Sequence, residues 1–160
     1  MTAKKNTINQ PPKLLARNDY GLLEDKDISY KYKENGLVDW RLMIDPSWLY
    51  PNPSSVASGK ANYNTDVSTL QDKDLCIKLF GLKELALIRG YTNVSYNVVK
   101  AAQDYVAVSC GITWVPNYES ENKEIYFESI ADAHWNNTKN FAKNFLSSIA
   151  ENRAFGRCVR

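Results

Sequence analysis

The chain has 160 residues, 44% hydrophobic and 12% aromatic, which suits one domain with a real core and excludes a disordered chain. No apolar run nears the roughly 18 residues of a membrane span. Residues 1–17 carry Lys4, Lys5, Lys13 and Arg17 without the apolar stretch of a secretory signal, so a cytoplasmic protein is expected.

The net charge of +2 is unevenly spread. Residues 1–20 carry +3 and residues 137–160 carry +4, leaving −5 between them. That segregation points to a polyanion surface at the chain ends. Cys76, Cys110 and Cys158 are odd in number and far apart, so free thiols are expected.

Residues 1–27 are polar, contain Pro11-Pro12 and read as a flexible basic arm. Residues 28–160 read as a single domain, with a hairpin and long loop over 28–71 and a core over 72–160. Asn35-Gly36 between Ile28–Lys33 and Leu37–Ile44 signals the hairpin, because both turn positions need positive φ. From Asp45 to about Thr69, Pro, Ser and Asn dominate, which predicts a loop.

Leu75, Leu79, Leu82, Ala86 and Leu87 recur at helical spacing, and Gly90 stops the run, predicting a helix over Asp72–Arg89. Val94, Tyr96 and Val98 alternate with polar residues as a strand. In Tyr105–Val115, Val106, Val108, Cys110, Ile112 and Trp114 form one apolar face. Asn117–Lys123 is a hairpin tip, with Glu119, Glu121 and Glu124 as solvating charges, and Glu124–His134 is a third strand. Asn136-Asn137-Thr138 offers N-caps for a last helix running to Arg160. The expected class is α+β, an α-β-β-β-α core with an antiparallel meander. The last helix meets no stop signal, which predicts that the natural chain continues past Arg160.

On a wheel at about 100° per residue, Phe141, Phe145, Ile149 and Val159 form the expected core face, with Gly156 inside it. Lys139, Lys143, Arg153, Arg157 and Arg160 fall together in one sector without an acidic residue, which reads as a phosphate-binding stripe. Arg89, just before the first meander strand, and Lys100, at its end, are candidate groove edges.

Little supports catalysis. The one histidine, His134, and the absence of Cys-x-x-Cys or His-x-x-x-His argue against zinc. Gly59-Lys60 is followed by Ala61 and preceded at the critical position by Ser54, so it is not a nucleotide-phosphate loop. Cys110 shares the apolar face of its strand, where a thiol is inert. No enzyme, cofactor or nucleotide is expected.

The stretch from about Asp72 to Arg160 resembles the single-strand annealing proteins, the Rad fifty-two-like recombination family with its phage annealases. The likeness rests on a helix before a β-β-β meander, a long helix across it, and the pattern Ala-x-x-Arg-Ala-x-Gly-Arg at Ala150, Arg153, Ala154, Gly156 and Arg157. It implies a homo-oligomeric ring or filament that holds single-stranded DNA in a basic groove and anneals complements without ATP, with Arg153 and Arg157 gripping phosphates. A double-stranded RNA-binding module shares the element order. A structural or assembly protein with a solvated basic helix is the third reading.

Overall fold

A computed structural model of the protein describes residues 16–160. In chain order the elements are β1 (Leu49–Pro51), α1 (Pro53–Ala57), β2 (Leu75–Ile77), α2 (Leu79–Arg89), β3 (Tyr91–Ala101), β4 (Tyr105–Trp114), β5 (Ile125–His134) and α3 (Leu146–Val159), linked by short 3-10 turns. The class is α+β. β3, β4 and β5 form an antiparallel meander in that order, and β1 pairs with β2 in a separate ribbon. Among the described residues, no helix is long and apolar enough to cross a membrane.

The meander follows its alternation. Val106, Val108, Cys110, Ile112 and Trp114 are all buried on the inner face of β4, beneath α3 and α2. A fully buried side chain such as Ile112 contributes roughly 1.5–3 kcal/mol. The outer face of β4 carries small residues, Ala107, Ser109 and Gly111, and these are buried as well. The Tyr126 ring lies across Gly111, in the space a Cβ would need.

Helix α3 crosses β4 and β5 and stops short of covering β3. Its buried stripe is Leu146, Ala150, Ala154 and Cys158, spaced by four, with Phe155 and Gly156 turned toward α2. This corrects the expected core face. Phe141 is 73% exposed and Phe145 is half-exposed, because both lie in a 3-10 turn (Asn140–Phe145) ahead of the helix. A wheel phased on Phe141 therefore has the wrong origin. Asn136–Thr138 do not cap α3 either, since Phe145 occupies the N-cap position and no side-chain cap bond forms.

Other expectations are revised nearer the N-terminus. Residues 1–15 of the expected arm lie outside the described residues, but the stretch around Arg17–Leu23 is partly packed, while 24–27 are exposed. Arg17 and Leu23 form an antiparallel bridge, and Leu22 and Leu23 are buried. The Asn35-Gly36 turn exists, with Gly36 at φ 81°, yet only one bridge, Tyr32 with Val38, forms beside it. Beyond Val38 the chain is drawn away by side-chain bonds to Glu119.

The Pro/Ser/Asn-rich stretch is not irregular. Asp45, Asn52 and Asp66 each accept a backbone N–H two residues on, and each starts a helical turn. The helix expected over Asp72–Arg89 starts at Leu79 instead, because Leu75–Ile77 pair with Leu49–Pro51.

Candidate nucleic-acid interface

The wheel placed five cations in one open sector. The structure separates them. Arg153 and Arg157 sit at the border of the buried stripe of α3, on the side facing β5. Arg153 Nη1 donates to the Asp132 carbonyl at 2.8 Å and to Asn137 Oδ1 at 2.9 Å, and Nη2 donates to the Asn137 carbonyl at 2.8 Å. Arg157 Nη1 donates to the Ile130 carbonyl.

Ile130 and Asp132 are two residues apart, and their carbonyls point off the side of β5 away from β4. The two arginines therefore cap a strand edge. Arg153, half-buried with every bond internal, is not an open phosphate grip.

Lys139 and Lys143 are exposed but precede α3, so they do not extend its face. Lys143 lies before the helix start and Arg160 just past its end, with the 14-residue helix, about 21 Å long at 1.5 Å per residue, between them. Lys100 is at the far end of β3, its ammonium 5.5 Å from the Tyr105 ring centroid. Trp114 pairs with Tyr91 at the opposite end of that hairpin.

Three of the seven candidates do converge. A cleft of about 780 Å³ opens between the C-terminal ends of α2 and α3, the inner face of the meander and the Trp40–Asn52 segment. Arg89, Arg157 and Arg160 line it, joined by Arg41, which the sequence reading missed. Apolar and aromatic side chains line it too: Trp114, Ile125, Phe127, Val159 and Trp40. Asp72 is the only carboxylate among the lining residues, and Arg41 Nη1 lies 3.8 Å from its Oδ1.

Each guanidinium is held differently. Arg41 Nη2 donates to the Val67 carbonyl at 3.1 Å. Arg89 lies 5.8 Å from the Trp114 ring centroid and donates to the Val115 carbonyl at 2.6 Å and to Asn117 Oδ1 at 3.3 Å. Burial pulls the Arg89 pKa below the usual guanidinium value, Glu119 opposes that shift, and Arg17 adds to it. Arg160 is exposed at the helix end.

Behind this wall, Arg17 clamps the end of α2. Its Nη1 donates to the carbonyls of Gly21 at 2.8 Å and Ile88 at 3.3 Å, and its Nη2 donates to Leu87 at 3.4 Å. The Leu87 and Ile88 carbonyls end a helix and lack intrahelical partners, so a cation suits them. Glu119, expected as a solvating charge, is half-buried. It accepts from the Val38 N–H at 2.8 Å and from Trp40 Nε1 at 3.0 Å, and so holds Trp40 against the cleft. No periodic signal linked Arg41 or Glu119 to this place, since residues 79 apart in sequence are joined only by folding.

Cys110 is fully buried and its thiol is pushed up to about 12 by burial and by the neighbouring Cys158 thiol. His134 packs against Tyr105 at the end of β5 and accepts from the Asn136 N–H. Among the described residues, no group of three or more His, Cys, Asp and Glu is placed to hold a metal ion. No protein-family description, curated protein or solved structure matches the chain.

Proposed function

We propose that this protein binds single-stranded nucleic acid and anneals complementary strands without ATP, as a self-assembled oligomer in recombination or repair. One observation carries the reading: four arginines line a cleft together with Trp114, Phe127 and Trp40. Guanidinium forks match phosphate oxygens, and aromatic faces accept any base. An annealing protein must grip the backbone and leave base edges free, and that combination does so without base-reading groups.

The grip differs from the one expected of α3 alone. Arg41, Arg89, Arg157 and Arg160 supply it, with Arg160 the least committed to internal bonds, whereas Arg153 serves the β5 edge. The double-stranded RNA alternative keeps the α-β-β-β-α order in its favour. It requires a cationic face that spans grooves, whereas Arg41, Arg89, Arg157 and Arg160 converge on a single cleft.

Fluorescence anisotropy with a labelled single-stranded oligonucleotide, over about 50 to 200 mM salt, tests the reading. Binding should weaken steeply with salt, and complementary oligonucleotides should anneal faster with protein and no ATP. Arg41→Ala and Arg160→Ala should each lower the log–log salt slope by about one. Absence of single-strand binding at the lowest salt, or a clear preference for duplex RNA, overturns the proposal.

A further inference from the structure

The two free edges of the meander are treated differently. On β5 the outward carbonyls of Ile130 and Asp132 are occupied by Arg157 and Arg153. On β3 no described residue forms a strand against the outer edge. That edge spans 11 residues, Tyr91–Ala101, with a single charge, Lys100, near one end. Edge strands are ordinarily guarded by charges, prolines or cover, and β3 has almost none.

Its inner face is equally open. Tyr96 is 45% exposed and Val98 61%, although their partners on β4, Cys110 and Val108, are buried. The register, continued by the bond from the Val115 N–H to the Gly90 carbonyl, turns the backbone groups of Asn93, Ser95 and Asn97 toward β4. The N–H and C=O groups of Val94, Tyr96 and Val98 therefore point off the free edge.

We infer that β3 pairs antiparallel with β3 of a second copy of this chain, about a two-fold axis near Tyr96. This rests on the self-assembly reading above and names its contact. Antiparallel pairing centred there sets Val94 of one copy beside Val98 of the other and joins the two exposed inner faces into one apolar row. It also carries the two Lys100 side chains to opposite ends, so like charges do not meet. A head-to-tail alternative, β3 on β5, meets an edge whose carbonyls two arginines already hold. The same surface patch on both partners makes a closed, isologous contact.

The test uses the full chain without nucleic acid. Light scattering over a dilution series should give a mass that is an even multiple of 18.2 kDa and falls on dilution. Val98→Lys should raise the dissociation constant at least about tenfold, from lost apolar contact. Ile130→Lys, the same change on the outer face of β5, should leave it unchanged. Amide exchange at Val94 and Tyr96 should slow as concentration rises. A wild-type monomer at all concentrations, an odd-numbered assembly, or an assembly indifferent to Val98→Lys overturns the inference. So does concentration-independent protection at Val94 and Tyr96, which assigns the edge to another segment of the same chain. Oligonucleotide anisotropy on the Val98→Lys monomer separates this outcome from a failure of the binding reading, since the cleft lies at the other end of the hairpin.

Discussion

Arg153 Nη1 reaches from the flank of α3 to the Asp132 carbonyl on the free edge of β5, at 2.8 Å. The same guanidinium also holds Asn137, whose Oδ1 accepts from the His134 N–H at 2.8 Å. One side chain thus ties the helix, the strand end and the following turn together. Arg153→Ala should destabilise the fold by about 1–3 kcal/mol, as charged hydrogen bonds to half-buried acceptors do. Arg153→Lys should recover only part of that, because a point charge cannot bridge both acceptors. Urea unfolding checks the stability, and an unchanged salt slope for oligonucleotide binding separates this edge-capping arginine from the cleft arginines.

Glu119 and the Trp40 segment give a second test. The carboxylate satisfies the backbone N–H of Val38, one of the most buried residues of the N-terminal half. Glu119→Ala should cost about 1–3 kcal/mol and leave that donor unpaired. Amide exchange at Val38 should accelerate while β4 stays protected. Uniform acceleration across the sheet would mean that the segment is part of the global folding unit.

Gly90 lies at φ 82° and ψ 137°, a conformation that L side chains rarely adopt, and the Arg17 guanidinium fills the space a Cβ would take. Gly90→Ala should cost at least about 1–3 kcal/mol from backbone strain, and displacing Arg17 adds to it. Thermal unfolding of Gly90→Ala, Arg17→Ala and the double variant measures the coupling. Strictly additive effects would argue that the two sites are independent.

Acid sensitivity should centre on Asp74. The Lys60 ammonium bonded to Asp74 Oδ2 holds its carboxyl below the usual range. Burial opposes that shift, and the Ser55 hydroxyl on Oδ1 at 2.9 Å reinforces it. A lowered folded-state pKa contributes stability that is present above the unfolded carboxylate value, about 3.9, and lost as pH falls through the folded value. Stability of the wild type should drop more steeply on acidification than that of Asp74→Asn. Parallel acid limbs for the two proteins would remove Asp74 as a contributor.

Thiol labelling should be selective. Burial raises the pKa of both Cys110 and Cys158, whereas Cys76 is half-buried. Only thiolates react readily, so an alkylating reagent at mildly alkaline pH should label Cys76 first and the other two only on unfolding. Native-state modification of Cys110 at the rate of Cys76 would contradict the packing described for β4.

The local pattern determined the meander. Alternation in Val94–Val98 and Val106–Trp114 allows one arrangement of faces, and Pro116 and the Asn117 turn end the strands where the backbone needs it. Gly90 likewise marked the end of α2, because only glycine readily adopts its φ. Tertiary contacts decided what local preference left open. Leu75–Ile77 have helical spacing but pair with Leu49–Pro51, since a partner strand 26 residues away satisfies their backbone groups. The register of α3 depended on where its helix begins, which a wheel cannot supply, and this moved Leu146, Ala150 and Ala154 to the core and left Phe141 exposed. Charge in the sequence is a count, whereas a binding surface needs direction. Arg153 and Arg157 turned to carbonyls of β5, and Arg41, absent from any pattern, joined Arg89, Arg157 and Arg160 around one cleft only when distant segments packed together.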